Sequence, residues 1–507
     1  RAFNHVRWYD VVVSRSVPGG LATPEAAGMV TLASTKGSFS TLQPARGSID
    51  QQGSVLPGAP VTLTARPAAG HVFSHWEGLP VDAVMSGAVA SFTMPAEDVT
   101  EILAVFVANP FAALGTTAVF HGLLAPHQTQ RSNAALGSLN ATLTTSTGAL
   151  SGKLLLGGVT TSFAGTVQGN GDVWLKNAGG PMTGALEIPG IGTLVLFFAS
   201  DSLDISLFGA DTDSFGTARA AIHSAANPVP ATLLNDAKQG FYTVALPALE
   251  QTPSKPASTY PQGAGYGTLT LKTNGTLTLA GVLADGSKFT AASALVSGNT
   301  SPVHAQLPTP GSATLKGGSL LGMLAFDPDA PDTDVSSASL GWAVFGGKGG
   351  PPPESGSGLL WLRPGVVQQT GTTAAALATQ LYTEGWEQGI TVGLVGALYD
   401  KAVTVQSALG LPAAGPDGNA VLAFEDGKLL DTVAYTTLNV DGGKVVKLPS
   451  TDKRYTLTLT GNTGAMKGAF TPFWSNPGTA LPAFNGVILQ KGANKGGWGH
   501  FISNRQH

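Results

Sequence analysis

One phrase of sequence occurs three times in this chain and constrains its fold more than any other feature. In residues 455–470, threonines alternate with leucines up to Thr460, Gly461-Asn-Thr-Gly464 interrupts them, and a second short run follows. A period of two is typical of a strand with one buried face, and Gly and Asn accept the positive φ angles of tight hairpins. Residues 140–152 nearly copy this phrase, and residues 268–281 are a looser version. The repeats predict an all-β protein built from antiparallel hairpins.

The composition indicates several β-domains rather than one. A chain of 507 residues is too long for a single core, and its 67 glycines and 33 prolines suit many turns and few long helices. Only 11% of the residues are charged, whereas an ordinary soluble domain has about 25%. The surface must therefore consist largely of Thr, Ser, Gly, Asn and Gln, as is common in extracellular β-proteins and in proteins that assemble.

Charge, hydropathy and cysteine content exclude several functions. The net charge is −4 and the sequence has no run of Lys and Arg to neutralise phosphates, so a nucleic acid is not an expected partner. The longest apolar run, residues 194–199, is too short to span a bilayer, which predicts no transmembrane segment. Because the chain has no cysteine, it has no disulfide, zinc–thiolate site or cysteine nucleophile.

Strand spacing and turn composition divide the chain into five predicted segments. They are an N-terminal strand and linker at 1–28, a small module at 29–108, a β-domain at 109–235, a second β-domain at 236–400, and a third β-domain, or the closing half of the second, at 401–507. Short strands joined by tight turns fit either barrels or sandwiches, and closure into a barrel would remove exposed strand edges. Residues 372–381 are the one candidate for a helix.

The first segment contains a predicted strand, residues 3–16, that is apolar on both faces and precedes Pro18-Gly-Gly20. It is either the first strand of the following domain or a strand that pairs with another subunit. In the second case, addition of the strand to a neighbour's sheet would join subunits head to tail into a fibre. The residues expected to make this contact are Phe3, Val6, Trp8, Val11 and Val13.

The second segment, residues 29–108, carries a set of motifs in a fixed order. They are Val61-Thr-Leu-Thr-Ala-Arg-Pro-Ala-Ala-Gly70, His71-Val-Phe73, Trp76-Glu-Gly78, Ser91-Phe-Thr-Met-Pro-Ala-Glu-Asp98 and Ala104-Val-Phe106. The set resembles the divergent internalin-type B-repeat of bacterial surface proteins, with His71 where that family usually has Tyr. The resemblance implies a small β-rich spacer or adhesion module with Trp76 in its core.

A second resemblance covers most of residues 109–502. Its motifs are Ala108-Asn-Pro-Phe111 with Gly122-Leu-Leu124, residues 266–286 and residues 484–501. They resemble tandem β-domains of large secreted proteins of environmental bacteria, in which such domains follow a B-repeat. This resemblance implies an extracellular or cell-surface location.

Few side chains point to chemistry. The sequence has no Gly-x-Ser-x-Gly elbow, no His-Glu-x-x-His motif and no phosphate-binding loop. The most acidic loop contains Asp327, Asp329, Asp332 and Asp334. Calcium accepts six to eight such oxygen ligands, but the loop lacks the Gly and the distal Glu of an EF-hand. A solvated acidic loop is the main interpretation, and weak calcium binding is the alternative.

Two further patterns have a functional and a structural interpretation. His71 and His75 have the spacing of metal ligands only on a helix, and this stretch predicts strand and turn. The tryptophans Trp361, Trp474 and Trp498 would form a sugar-stacking platform if they were exposed together, and are otherwise core or rim aromatics.

The sequence as a whole predicts an extracellular structural or adhesive surface protein of a bacterium, without a cofactor or catalytic residues. The expected partner is a second copy of the chain, in a fibre or a surface layer. The alternatives are a carbohydrate-binding surface protein with a surface polysaccharide as partner, or a glycoside hydrolase or lyase with paired carboxylates.

Overall fold

The computed structural model describes residues 7–18, 26–41, 49–126, 131–176, 180–209, 212–251, 254–309, 316–338, 358–366, 381–427, 429, 431–472 and 481–502. The chain divides into two compact units. The first contains residues 1–122, 139–155 and 160–220, and the second contains residues 123–138, 156–159 and 221–507.

Regular structure in the described residues is almost entirely β-strand, which confirms the predicted all-β class. The one α-helix described, α1, spans Val405–Ala408. Short 3-10 helices span Ala112–Leu114, Asn133–Ala135, Ala231–Leu233, Ala257–Thr259, Ser297–Asn299 and Gly492–Asn494. The predicted helix at 372–381 lies outside the described residues except for its last position.

The first unit begins with a two-sheet sandwich of nine strands. These are β1 (Tyr9–Ser16), β2 (Gly28–Ser34), β3 (Gly37–Thr41), β4 (Ile49–Val55), β5 (Pro60–Pro67), β6 (His71–Glu77), β7 (Val84–Ser86), β8 (Val89–Thr93) and β9 (Val99–Ala108). One sheet has the order β3-β4-β1-β9-β6 and the other β2-β5-β8-β7. Alternate residues of β5, namely Val61, Leu63 and Ala65, are buried between the sheets. The apolar residues that recur every second position in the sequence are therefore the ones that pack in the core.

Strand β1 is a central strand of its own chain's sheet. It pairs antiparallel with β4 and parallel with β9. Val11 and Val13 have no exposed surface and belong to the core of the sandwich. The structure therefore shows β1 in the arrangement expected of a first strand of the following domain.

The rest of the first unit is one curved antiparallel sheet. Its strands are β10 (Thr117–Ala125), β11 (Gly137–Thr144), β12 (Ala149–Leu156), β13 (Val159–Val167), β14 (Val173–Lys176), β15 (Leu186–Ile188), β16 (Gly192–Ala199), β17 (Ser202–Gly209) and β18 (Ser214–Ala220). The order is β14-β13-β12-β11-β10-β18-β17-β16-β15. Isolated bridges connect Asp172, just before β14, to Phe197 of β16, and Leu175 of β14 to Thr183, just before β15, so the sheet is a nearly closed barrel.

The second unit contains a ten-stranded antiparallel sheet. Its strands are β19 (Gln239–Leu246), β20 (Gly265–Lys272), β21 (Thr276–Val282), β22 (Lys288–Ala294), β23 (Thr300–Pro308), β24 (Lys316–Phe326), β25 (Val335–Ala338), β26 (Leu359–Arg363), β27 (Trp386–Val392) and β28 (Val395–Leu398). The order is β22-β21-β20-β19-β28-β25-β24-β26-β27, and β23 pairs with β24. Tyr242, Leu269 and Trp361 lie in its large apolar core.

Two smaller sheets complete the second unit. One has the order β29 (Ala420–Phe424), β30 (Val433–Asp441) and β31 (Lys444–Lys447). The other has the order β32 (Tyr455–Thr460), β33 (Ala465–Phe470), β34 (Ala483–Leu489) and β35 (Gly496–Phe501). The outer face of this four-stranded sheet packs on β19, where Thr243 Oγ1 donates to the carbonyl of Ile488 at 2.7 Å. Its inner face packs on the three-stranded sheet.

The three sequence repeats share a packing feature that their local patterns do not reveal. In each, a glycine in the second strand lies under a phenylalanine ring of the third strand. The pairs are Gly152 with Phe163, Gly281 with Phe289, and Gly468 with Phe484. A Cβ atom on Gly281 would lie 2.9 Å from the Phe289 ring, and one on Gly468 would lie 2.6 Å from the Phe484 ring. The repeat unit is therefore a three-stranded meander in which a ring covers a bare stretch of backbone.

Replacing this glycine should destabilise the meander. We expect Gly468→Ala to lower the free energy of unfolding by about 1–3 kcal/mol, because the ring and the Thr456 carbonyl leave no room for a methyl group. Gly461 lies in the turn of the same hairpin, and a Cβ atom there would have no neighbouring atom within 4 Å. Gly461→Ala is thus the matched control, and urea denaturation of both variants makes the comparison. Equal losses in the two variants would contradict the packing role of Gly468.

Candidate functional site

The C-terminal sandwich of the second unit, formed by strands β29–β35, has an aromatic core. The Phe424 and Phe470 rings stack with centroids 3.8 Å apart, and the Phe484 ring meets Phe424 at 4.9 Å. Tyr435 and Tyr455 pack at 4.5 Å. Tyr455 and Phe470 have no exposed surface, so this part of the sandwich is fully closed.

A cleft of about 1260 Å³ lies beside this closed part, and it is lined by both sheets of the sandwich and by residues of the segments 257–263 and 381–385 of the second unit. Leu457, Leu459 and Met466 line it and are only partly buried, although they share a sheet face with the fully buried Tyr455 and Phe470. Other apolar side chains around the cleft are Leu409, Leu411, Leu422, Leu438, Val440, Ile488 and Phe501. The apolar faces of the two sheets are thus not completely covered by each other.

Glycines on the inner face help to keep the cleft open. The register places Met466 opposite Gly486, and Gly486 opposite Gly499. Gly497 follows on the same face of β35, opposite Ile488. Gly497 and Gly499 line the cleft, and because they have no side chain its floor there is backbone.

Two outer strands border the cleft. β29 is the edge of the three-stranded sheet and β35 is the edge of the four-stranded sheet, and residues of both line the cleft. On β35, the Gly499 carbonyl accepts from the Ala264 N–H at 3.3 Å, and His500 Nδ1 donates to the Ala264 carbonyl at 2.8 Å. Burial lowers the pKa of His500, while the bond to Ala264 opposes that shift. The outer edge of β35 is therefore partly paired with the Ala264 segment, whereas an edge strand beside an apolar cleft, such as β29, can accept a further strand.

The charged side chains around the cleft are mostly acidic. Glu384, Glu425 and Asp426 line it together with Lys495, and all four are exposed. The cleft therefore combines an apolar floor, two strand edges and a rim with three carboxylates and one ammonium group.

The acidic loop proposed as a calcium candidate is tied to a neighbouring turn of the second unit. Asp334 Oδ1 accepts from Lys491 Nζ at 2.6 Å, and Asp332 Oδ1 accepts from the Ala493 N–H at 2.7 Å. The Asp334 Oδ2 atom accepts from the Leu398 N–H at 2.8 Å. In the part of the chain that the structure describes, no three His, Asp or Glu side chains are grouped to hold a metal ion.

The predicted assembly residues fall into three groups. Val11 and Val13 are buried in the sandwich of their own chain. Trp8 precedes β1 and keeps 47% of its surface exposed. Phe3 and Val6 lie outside the described residues.

The remaining candidate residues from the sequence are the histidines of the possible metal pair and the three tryptophans of the possible sugar-binding surface. His75 contacts Glu77 at 3.1 Å on β6, a strand rather than the helix that a metal pair with His71 would need. Trp361 is 1% exposed, so it is a core residue and does not form part of a sugar-stacking surface. Trp498 is partly buried and donates to the Asn494 carbonyl, and Trp474 lies outside the described residues.

A buried ion pair was not identified from the sequence. Arg363 Nε lies 3.2 Å from Asp285 Oδ2, and the two side chains are 6% and 1% exposed. Arg363 also donates to the Leu381 carbonyl at 2.7 Å and lies over the Trp386 ring. Burial lowers the pKa of Arg363, and the charge of Asp285 opposes that effect. The pair connects the turn after β21 to β26 within the second unit.

His304 is a second buried titratable group of this unit. Its Nδ1 atom lies 3.0 Å from Ser138 Oγ, and its Nε2 atom lies 3.5 Å from Ser319 Oγ. Burial lowers the pKa of His304 to about 4. The imidazole is therefore neutral in the folded protein at pH 7.

We expect His304 to make the second unit less stable in mild acid. In the unfolded chain histidine titrates near pH 6.5, so between about pH 6.5 and 4 the unfolded state binds the extra proton and the stability falls as pH falls. The loss approaches about 3 kcal/mol below pH 4. Hydrogen exchange of the β23 and β24 amides, corrected for intrinsic rates, measures it. His304→Gln should remove this slope, and His75→Gln, at a half-buried site on β6 of the first unit, should not. An unchanged slope in His304→Gln would refute the assignment.

Comparison with known proteins identifies the first module. The chain forms several β-sheets in two compact units, and its first part is a small two-sheet sandwich. Residues 40–110 match the family model of the divergent InlB B-repeat domain, which confirms the B-repeat resemblance of that module. Searches among curated proteins and solved structures gave no match. B-repeat modules are typical of bacterial surface proteins. No helix in the described ranges is long and apolar enough to cross a membrane.

Proposed function

We propose that this protein is a structural or adhesive component of a bacterial cell surface that acts by association rather than by catalysis. The observation that carries the proposal is the B-repeat match at residues 40–110, at the start of a chain that continues as large β-sheets. Modules of this kind act as spacers and contact surfaces. The low share of charged residues, 11%, suits a protein that covers part of its surface in an assembly.

The buried titratable groups also support a structural role. Asp285 and Arg363 neutralise each other, and His304 contacts two serine hydroxyls. Each of these groups connects elements of the fold. Catalytic acids and bases instead need access to a substrate in a pocket.

Self-association is the finer part of the proposal. Contacts that repeat head to tail give open fibres unless the rotation closes a ring. The chain offers an acceptor region in the C-terminal sandwich, where an apolar cleft lies beside two strand edges. We propose that the protein works as a subunit of a fibre or surface layer.

Labelling of intact cells tests the surface location. An antibody against the B-repeat module should bind unbroken cells of the producing bacterium, and added protease should remove the signal. Labelling that appears only after lysis would overturn the proposal. Electron microscopy of the released material should show a filament or a lattice.

A further inference from the structure

We propose that the cleft of the C-terminal sandwich accepts residues 1–8 of a second copy of this chain as an added β-strand. This inference rests on the proposed self-association and names the two surfaces that would make it. The acceptor is the cleft between β29 and β35, and the donor is the segment Arg1-Ala-Phe-Asn-His-Val-Arg-Trp8 that precedes β1.

The size and edges of the cleft suit a peptide strand. Pockets for small molecules commonly measure about 300–1,000 Å³, and this cleft measures about 1260 Å³. β29 pairs with one partner strand of its sheet, whereas on β35 the Gly499 carbonyl already accepts from the Ala264 N–H, so β29 is the edge that an incoming strand would extend. Main-chain hydrogen bonds from such edges fix an incoming strand, and pockets for alternate side chains give specificity.

As a strand, the donor segment would have apolar side chains on both faces, with more of them at even positions than at odd positions. In a strand, successive side chains point to opposite faces. The even positions carry the apolar residues Ala2, Val6 and Trp8, and Asn4 is the polar exception among them. The odd positions carry the basic residues and histidine, namely Arg1, His5 and Arg7, and Phe3 is the apolar exception. The more apolar, even-numbered face would cover the half-buried side chains on the cleft floor, Leu457, Leu459 and Met466.

The charges of donor and acceptor are complementary. The cleft rim has three carboxylates, Glu384, Glu425 and Asp426, against one ammonium group, Lys495. Residues 1–8 contain two arginines and no acidic residue. The basic face of the inserted strand would meet the acidic rim, and complementary charge of this kind speeds encounter and fixes register.

This contact leaves β1 in place. Val11 and Val13 stay in the core of their own sandwich, and only the segment ahead of Tyr9 extends into the neighbour. Trp8, with 47% of its surface exposed, lies at the point where the two parts meet.

The chain has no cysteine, so engineered thiols report the contact without background. One full-length variant carries Val6→Cys, and a second, distinguished by a size tag, carries Met466→Cys on the cleft floor. Lys467→Cys is the matched control, because it neighbours Met466 on β33 but is exposed on the opposite face. After mild oxidation of mixed proteins, we expect at least tenfold more mixed disulfide with Met466→Cys than with Lys467→Cys.

A second measurement compares sedimentation of wild type with a variant lacking residues 1–8, which should keep its melting temperature and stay monomeric.

Each other outcome overturns the inference. These outcomes are equal cross-linking at the two cysteine positions, assembly that survives deletion of residues 1–8, and a wild-type chain that stays monomeric at high concentration. A small apolar molecule retained in the cleft in native mass spectrometry would assign the cleft to a ligand instead. Surface labelling of intact cells does not depend on any of these results. The proposed surface function can therefore stand when this contact is refuted, and the contact can stand when the surface function is refuted.

Discussion

The variant Asp285→Ala should be about 3–5 kcal/mol less stable than the wild-type chain in its second unit. The substitution leaves the Arg363 guanidinium buried, with its side chain 6% exposed, and removes the carboxylate that lies 3.2 Å from it. A buried charge without its partner costs more than the pair itself contributes, because the charge has lost its hydration and keeps only the contacts with the Leu381 carbonyl and the Trp386 ring. Urea denaturation, followed by hydrogen exchange in β21 and β26, measures the loss.

A double variant separates the charge effect from simple loss of packing. Asp285→Ala combined with Arg363→Leu removes both charges, and we expect it to recover most of the lost stability, since apolar replacements of buried pairs are often close to neutral. If the double variant is less stable than Asp285→Ala alone, Asp285 acts mainly through its bonds to the Ser287 N–H and hydroxyl. That result would contradict the proposed role of the pair.

Asp285 also shows where prediction from sequence stops. Its dipeptide Asp285-Gly286 predicts a hairpin turn, and the structure has that turn between β21 and β22. Its partner, Arg363, lies on β26, so no local pattern connects them. Local alternation and turn residues predict strands, because strands are decided by neighbours in sequence. Ion pairs between strands depend on the order of strands in the sheet, which local patterns do not contain.

The hairpins can likewise be predicted from local sequence, whereas the cleft cannot. The sequence predicts the hairpin of residues 455–470 with its turn, and the structure has β32 and β33 there. The same Thr and Leu alternation predicts that Leu457 and Leu459 face inward, but not that they stay partly uncovered. Whether an inward face is filled depends on the opposing sheet and on glycines such as Gly486, which become neighbours only in the folded protein.

The variant Trp76→Ala should lower the stability of the B-repeat module by about 3–5 kcal/mol. Trp76 is 8% exposed, and its ring lies 5.3 Å from that of Phe73 within the sandwich core. Replacing the indole with a methyl group removes its transfer free energy and leaves a cavity between two sheets that cannot collapse freely. Hydrogen exchange of the β6 and β9 amides in the full-length chain measures the effect, because module opening is detected there without isolating a fragment.

A fragment starting at residue 29 would be an unsound substitute, since it lacks β1, the strand between β4 and β9. The matched control is Trp8→Ala, the same substitution at a side chain with 47% of its surface exposed. Measured at low protein concentration, Trp8→Ala should cost less than about 1 kcal/mol, as substitutions at exposed sites usually do. Similar protection loss in both variants would show that the module does not depend on a core centred at Trp76. A large loss in Trp76→Ala alone, confined to the module, would show that the B-repeat keeps its own core within the first unit.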